Sequence, residues 1–95
     1  MSDPALLVLA SLADGDKHGY AMMMDIRAFA AVRVGAGTLY GAITRLEEQG
    51  WIRGIESEER RKPYTLTAAG RRYLEEQMGG LDRLVKTTQR RLRHA

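Results

Sequence analysis

The fold of this chain is decided by residues 34–54, VGAGTLYGAITRLEEQGWIRG. Within them, Leu39, Ile43 and Leu46 lie at i, i+4 and i+7, which is the spacing of a helix face that packs on a core. Gly50 follows the polar residues at the end of the run, and glycine readily adopts the left-handed conformation in which many helices end. The pattern therefore predicts an amphipathic helix with a sharp C-terminal end.

The leading end of this helix is nearly bare, because its residues are too small to fill a core. They are Gly35, Ala36, Gly37, Thr38 and Gly41. Only the threonine and Tyr40 carry side chains that could reach a partner. We therefore expect a helix over residues 37–50 whose second half packs inside the protein, while its first turn lets the backbone approach a partner closely.

Composition bounds the class of protein. With 95 residues, of which 44% are apolar, the chain is long enough for one domain with a real core. It contains no cysteine, which excludes disulfides and thiolate zinc sites. The apolar start at residues 5–13 is too short to span a membrane and follows Asp3 rather than a basic leader, so we expect a soluble cytoplasmic protein.

The positive charge is concentrated in the second half of the chain. The formal net charge is +3, with a sum of −2 over residues 1–50 and +5 over residues 51–95. The basic side chains cluster in residues 60–62 and again in residues 86–94. Such clusters favour an anionic partner such as nucleic acid. Charge alone is equally compatible with a solvated basic surface.

Two further helices are predicted before the opening stretch. Pro4 suits a first helical turn, and the apolar run that continues to Leu12 predicts a deeply buried first helix. A turn cluster, DGDKHG at residues 14–19, ends it. A second helix is predicted over residues 19–31, because side chains recur there at near-helical spacing. They are Tyr20, Met23, Met24, Arg27 and Ala30 or Ala31.

A hairpin and a long helix are predicted after the opening stretch. Residues 51–57 alternate as a strand does, and residues 64–67 are rich in β-forming side chains, so we expect two short strands joined by a charged tip. Thr67 is a good N-cap for a last helix over residues 68–93.

This last helix carries a heptad seam. Its stripe is spaced 4, 3, 4, 3, 4 over nearly three repeats, as in a coiled coil. It consists of Leu74, Met78, Leu81, Val85, Thr88 and Leu92. A helix with one narrow apolar stripe is not stable alone, so the stripe must pack on its own domain or on a second chain. We assign these six residues to dimerisation.

Three helices followed by a two-stranded hairpin form the order of a winged helix-turn-helix. We therefore predict a mainly α protein with a small β-hairpin: a winged helix-turn-helix DNA-binding domain over residues 1–66 and a C-terminal dimerisation helix over residues 67–95. The third helix of this fold enters the DNA major groove, and the wing, residues 57–63, would lie on the adjacent backbone or in the minor groove. The predicted DNA-binding residues are Gly37, Thr38, Tyr40, Gly41, Thr44, Arg45, Arg60, Arg61 and Lys62.

Three motifs resemble the PadR family of bacterial transcriptional regulators. They are LASLADGDKHGYAMMMDI, GAGTLYGAITRLEEQGWI and RRKPYTLTAAGRRYLE, and together they cover about residues 7–75. The resemblance implies a dimeric repressor that binds a two-fold DNA operator and dimerises through its C-terminal helix. By position, Thr38 and Tyr40 match the family's recognition-helix motif. His18, Gly19 and Tyr20 match the entry to its second helix, and Thr67, Ala69 and Gly70 match the start of its last helix.

The chain departs from the family pattern at two places in the recognition helix. Gly35 and Ala36 stand where the family usually has Ser-Pro, so the serine N-cap is missing. Gly41 stands where a proline usually follows the tyrosine. The chain resembles the family's small members, with one C-terminal helix, and the phenolic-acid sensing of the namesake members is not implied.

The sequence offers less support for functions other than DNA binding. An enzymatic function is disfavoured, because the chain has no cysteine and only two histidines. It also has no glycine-rich phosphate-binding loop after a strand. We expect no metal and no cofactor. One alternative is a winged-helix protein-interaction module without DNA binding, although the basic wing argues against it. Another is a repressor released by a small aromatic effector, which the sequence neither requires nor forbids.

Some conspicuous side chains have structural interpretations. His18 is expected to cap the second helix rather than to bind a ligand, and Tyr20 is expected to be a packing residue of that helix rather than a site residue. The three methionines at residues 22–24 are expected to fill the core rather than to line a ligand pocket. Trp51 is expected to anchor the hairpin on the core, the alternative being a stack on a flat effector at the dimer interface.

Overall fold

A computed structural model describes residues 3–58 and 60–95, and within these the chain is mainly helical with one small sheet. The helices are α1 (Pro4–Leu12), α2 (Gly19–Ala30), α3 (Ala36–Glu48) and α4 (Ala68–Arg93). The strands are β1 (Lys17–His18), β2 (Ile52–Gly54) and β3 (Pro63–Leu66). The predicted winged helix-turn-helix followed by a long helix is therefore confirmed.

Three of the helices begin at side-chain caps, which satisfy amide groups that a helix cannot pair itself. The Asp3 carboxylate accepts from the first-turn amides of α1. At α2 the cap is the predicted one, since His18 Nδ1 accepts from the amide of Ala21 at 3.2 Å. At α4 the Thr67 hydroxyl accepts from the amide of Gly70 at 3.0 Å, again as predicted.

The sheet has one strand more than the sequence predicted. The predicted hairpin is present, with Ile52 opposite Leu66 in an antiparallel ladder. Residues 17 and 18, which were assigned to a turn, form β1 and pair with the other edge of β3, so that the strand order is β1-β3-β2. The turn assignment was wrong there, because a two-residue strand is too short to produce any alternation in the sequence.

The core face of α2 also differs from the predicted one. Its buried residues are Gly19, Met22 and Ile26, spaced three and four apart, whereas Tyr20 is 54% exposed. The packing role predicted for Tyr20 was therefore wrong. Of the three adjacent methionines only Met22 is buried, and Met24 is exposed, because successive residues of a helix point about 100° apart and cannot share one face.

The core lies where α1, α2 and α3 meet the sheet. α1 is the centre of this arrangement, since it contacts α2, α3, β3 and α4. The predicted stripe of α3 is buried there. The largest side chains that are almost completely enclosed are those of Leu9, Met22, Ile26, Leu39, Ile43 and Leu46.

The end of α3 directs the chain into the sheet. Gly50 has φ +77°, and its amide donates to the carbonyl of Glu47 at 3.0 Å, while the amide of Trp51 donates to the carbonyl of Leu46 at 3.0 Å. These two hydrogen bonds form a Schellman motif, which ends a helix through a left-handed glycine. The expectation that Gly50 ends the helix is confirmed. Trp51 therefore lies directly before the first residue of β2.

A compact junction then joins α4 to the end of α3. The Thr67 hydroxyl donates to the carbonyl of Gly50 at 2.7 Å, and its amide donates to the carbonyl of Trp51 at 3.1 Å. Gly70 lies so close to that same carbonyl that a Cβ atom there would overlap it. The Trp51 ring stacks on Tyr73 of α4, with ring centroids 3.7 Å apart and 13° between the planes. Trp51 thus anchors the hairpin, as expected.

Beyond this junction α4 leaves the core. Leu74 is buried against the chain's own core, so it is not part of a free apolar seam, unlike its neighbours in the heptad pattern. From Glu75 onward no described residue of α4 is buried. Its exposed large apolar residues are Met78, Leu84, Val85 and Leu92. Within the described part of the chain, no helix combines the length and the apolar character needed to cross a membrane.

Gly70→Ala should destabilise the fold by about 2–3 kcal/mol, because the added methyl group would overlap the Trp51 carbonyl and push α4 away from the hairpin. Gly79→Ala on the same helix is the matched control. A Cβ atom at Gly79 would meet only the Arg83 side chain at 3.6 Å, and alanine should stabilise the helix by about 1 kcal/mol. Urea unfolding measures both, and equal effects of the two substitutions would contradict the close contact at Gly70.

Candidate nucleic-acid interface

The first turn of α3 is open to solvent. Gly35 is its N-cap and makes no side-chain capping hydrogen bond, as the missing serine predicted. Gly37 and Thr38 are exposed, and a Cβ atom built on Gly37 would meet nothing within 4 Å. The first backbone N–H groups of any helix lack partners within the helix. At α3 these donors therefore lie on the surface, where an anion can reach them.

Tyr40 stands beside this turn and reaches across to α2. Its side chain is 46% exposed, so the ring borders solvent while its tip lies against Gly19. A Cβ atom at Gly19 would overlap the Tyr40 hydroxyl and the ring carbon that carries it. Glycine at the start of α2 therefore makes room for the tyrosine, and α2 supports the side chain that α3 presents.

The remaining predicted residues of α3 follow along the helix. Thr44 and Arg45 are exposed, and Gly41 is half-buried. The Thr44 hydroxyl donates to the carbonyl of Tyr40 at 3.0 Å, so its proton is already used within the helix. Arg45, in contrast, has an exposed guanidinium, and a Cβ atom on Gly41 would lie 3.7 Å from it.

The wing brings its basic residues to the same side of the molecule. Its base is closed by a hydrogen bond from the amide of Ile55 to the carbonyl of Pro63 at 2.9 Å. Arg61 carries its guanidinium carbon 5.3 Å from the centroid of the Tyr20 ring, and Lys62 carries Nζ 5.8 Å from the centroid of the Tyr64 ring. All three basic residues at positions 60–62 are exposed, and none of them makes a salt bridge with a described residue.

A concave surface of about 250 Å³ results where the wing, α2 and α3 meet. We call it the wing cavity. Its lining residues are His18, Gly19, Tyr20, Tyr40, Arg60, Arg61, Lys62 and Tyr64. Three positive side chains and three aromatic rings thus share one opening, which is a suitable lining for an anion attached to a larger molecule.

The wing cavity contains some predicted site residues and some that sequence reasoning missed. Tyr40 and the three wing cations were predicted, whereas Tyr20 and Tyr64 were not. The contact of Tyr20 with Arg61 joins residues far apart in the chain, and helical or strand periodicity carries no information about such a pair. Tyr64 lies in β3, two residues after Lys62. The only available signal was the position of Tyr20 directly after the cap and glycine of α2. The other predicted residues of α3 do not line the wing cavity.

Tyr64 forms the buried wall of this cavity. Burial raises the pKa of its hydroxyl, and the negative charge of Glu47 and the nearby Tyr40 add to the increase. The Tyr64 hydroxyl therefore stays neutral over the physiological range. The positive charges of the wing are not offset by an ionised phenol at this wall.

A polar cluster on the other side of α2 fixes the direction of that helix. The buried Ser11 hydroxyl donates to Asp25 Oδ2 at 2.7 Å, which joins α1 to α2. Lys17 donates to the Ser11 carbonyl and lies 3.9 Å from Asp25, which joins β1 to both helices. The Lys17 ammonium also donates to the exposed Asp14, and this hydrogen bond and its charge lower the pKa of Asp14.

The sequence matches the model of the "Transcriptional regulator PadR-like family" over residues 8–76. This chain belongs to the PadR-like family. The family match runs from within α1 to the start of α4, and it includes every residue that lines the wing cavity. PadR-like proteins are regulators of transcription and not enzymes, so the prediction of a non-enzymatic function is confirmed.

Three solved PadR-like or regulatory structures show how far the resemblance extends. A PadR family transcription regulator from Clostridium difficile R20291 superposes with a TM-score of 0.85 at 26% identity, over 94% of this chain and 97% of that one. A PadR family regulator from Eggerthella lenta DSM 2243 gives 0.79 at 30% identity, over 93% and 80%. A transcriptional regulator from Clostridium thermocellum gives 0.81 at 28% identity, over 92% and 87%.

A curated relative is more similar in sequence but much longer. It is an uncharacterised 37.1 kDa protein in transposon TN4556 of Streptomyces fradiae, 43% identical over 83 residues. The match covers 87% of this chain and only 24% of the relative. This chain therefore spans about a quarter of that relative's length. The family and the fold support a DNA-binding transcriptional regulator.

The raised pKa of Tyr64 predicts a loss of stability at alkaline pH. In the unfolded chain the tyrosine ionises near pH 10, whereas the folded protein retains the proton to higher pH. The stabilising contribution is thus complete below pH 10 and is lost as the pH rises through the folded pKa. Chemical unfolding at a series of pH values should show a steeper alkaline decline in the wild type than in Tyr64→Phe. Superimposable declines would contradict the buried position of this hydroxyl.

Proposed function

We propose that this protein is a dimeric, sequence-specific DNA-binding repressor of transcription that acts in the cytoplasm. One observation carries the proposal: Tyr40 of α3 and the three wing cations line a single concave surface, and the exposed first turn of α3 directly precedes Tyr40. A double-stranded DNA operator would contact both at once. The proposal needs no cofactor and no metal.

The helix over residues 37–50 would lie in the major groove with its first turn leading. Small residues at Gly37 and Gly41 would let the helix backbone come close to the DNA, and the uncapped N–H groups would donate to phosphate. Thr38 and Tyr40 would supply hydroxyl groups at the groove edge. Arg45, one and a half turns further along, would reach a base edge or the opposite backbone.

The wing over residues 57–63 would lie on the adjacent backbone or in the minor groove. Arg60, Arg61 and Lys62 supply three positive charges at its tip, and they do so without competing salt bridges to described residues. Phosphate contacts of this kind position a protein on DNA, and arginine is also favoured in a narrow minor groove. This charge is the main reason to prefer DNA over a protein partner.

Dimerisation would occur through the free part of α4. Met78, Leu81, Val85, Thr88 and Leu92 continue the heptad spacing beyond the buried Leu74. Val85 is 50% exposed and Leu92 is 71% exposed, so a second copy would cover apolar surface that a single chain leaves in water. Two subunits related by a two-fold axis would match a two-fold operator.

Two alternatives are less well supported. A protein-interaction module without DNA binding would not need an uncapped recognition helix beside three exposed cations. A small aromatic effector could release a repressor, but Trp51, the side chain first considered for it, already stacks one face on Tyr73. A second concave surface, lined by Met23, Met24, Arg27, Arg33 and Val34, is a place where such a molecule could bind.

The test is a mobility shift with DNA from upstream of the protein's own gene, at two salt concentrations, beside a sizing run. We expect a dimer whose affinity falls steeply with salt, because a protein making about 6–10 phosphate contacts loses roughly three to five orders of magnitude between 50 and 200 mM salt. Replacing Arg60, Arg61 and Lys62 with alanine should weaken binding and reduce the salt slope.

The matched control replaces Lys86, Arg90 and Arg91 of α4 with alanine. It removes the same number of positive charges from residues that are not part of the wing. This control should affect the salt slope less than the wing variant does. Equal effects of the two variants would indicate that net charge alone drives binding. A dimer that binds no upstream DNA at either salt concentration would contradict the proposal.

A further inference from the structure

Tyr20 is the most exposed large aromatic residue around the wing cavity, at 54%. Nothing in the core requires it, since α2 packs through Gly19, Met22 and Ile26. Its one recorded aromatic or charged contact among the described residues is with Arg61, whose guanidinium carbon lies 5.3 Å from the centroid of the ring. That distance is within the range of a cation–π interaction.

We propose that Tyr20 is a positioning residue for binding of the DNA backbone. Its ring holds the Arg61 guanidinium over the wing cavity, where the N–H groups of the guanidinium meet a phosphate of the DNA. The inference rests on the proposed function and deepens it, because it connects α2, which was not among the predicted DNA-binding elements, to the contacts that the wing makes.

The two partners differ in how firmly the fold holds them. Tyr20 lies in the first turn of α2. It stands between His18, which caps the helix, and Ala21, whose amide donates the capping hydrogen bond to His18. The same turn is fixed to the sheet through β1 and to α3 through the contact of Gly19 with Tyr40. Arg61 lies at the exposed tip of the wing. The Tyr20 ring is therefore the fixed member of the pair, and it positions the Arg61 guanidinium.

The chemistry of the pair leaves Arg61 free to bind phosphate. A cation–π contact uses the charge of the guanidinium and the face of the ring, not the N–H donors. Those donors lie in the guanidinium plane in a fork that matches two phosphate oxygens. Fixing a long side chain before binding also reduces the rotamer freedom lost in the complex.

Arg60 supplies an internal control, because it lines the same cavity and makes no ring contact with a described residue. The test is a pair of double-mutant cycles on affinity for the upstream DNA, with the full chain. Tyr20→Leu should weaken binding about two- to fivefold, the range of an exposed cation–π contact. It should have no further effect in an Arg61→Ala background and its whole effect in an Arg60→Ala background.

Conservative variants and the salt slope separate positioning from a structural role. Tyr20→Phe and Tyr20→Trp retain the ring face and should bind as the wild type does, which also keeps the test valid if Tyr20→Leu folds poorly. Arg61→Ala should reduce the salt slope by about 0.9 for each subunit, and Tyr20→Leu should reduce it in the same direction. A purely structural role would lower the melting temperature and leave the slope unchanged.

Three outcomes would overturn the inference. Tyr20→Leu could bind as the wild type does, or its effect could be equally large with and without Arg61. Tyr20→Phe could also lose as much affinity as Tyr20→Leu, which would assign the role to the hydroxyl group instead of the ring. In each of these cases the wild type still binds DNA, so the proposed function stands. A wild type without salt-dependent DNA binding would instead overturn both.

Discussion

The close approach of Gly70 to the Trp51 carbonyl determines how the other elements lie. Because no side chain separates α4 from the start of β2, the Thr67 amide and hydroxyl reach the carbonyls of Trp51 and Gly50. The left-handed Gly50 ends α3 at the same place. The helix α3, the wing and the helix α4 therefore diverge from one junction, and the angles between them are set within a few residues.

The two ends of α3 differ in their surroundings. Packing of the trailing end in the core stabilises the helix, and this allows the leading end to remain open. Its trailing half is held in the core by Ala42, Ile43 and Leu46, and Leu39 anchors the end of its first turn. A missing side-chain cap costs a helix about 1 kcal/mol, which this packing easily offsets. The first turn is thus left with unpaired N–H groups and small side chains. In the proposed function, the DNA phosphate supplies the cap that the sequence lacks.

Periodicity and cap residues were enough to predict most of the fold. The stripe of α3, the cap at Thr67 and the length of α4 each depend on residues close together in the chain, and their spacing is directly visible. What periodicity could not reveal was β1, whose two residues are too few to alternate, and the core face of α2. Three adjacent methionines satisfied more than one helical register, so the buried one could be identified only from its neighbours in space.

The candidate site was predictable only in part for the same reason. The wing cations and the small residues of α3 are conspicuous in the sequence because of their composition. Tyr20 enters the site through a contact across the fold with Arg61, and local patterns do not encode such a pair. Tyr64 lies only two residues from Lys62, but its strand pattern indicated packing and not a place beside that cation. Leu74 is a related case, since a heptad spacing does not distinguish packing on the chain's own core from packing on a second copy.

The central claim is that DNA contacts the first turn of α3 and the wing tip as one surface. Amide resonances of the labelled protein, recorded with and without the upstream DNA fragment, test it most directly. The account predicts the largest changes at Gly37, Thr38 and Arg61, and small changes at Gly15 in the turn after α1. Changes confined to α4, with the amides of residues 36–41 unaffected, would contradict it.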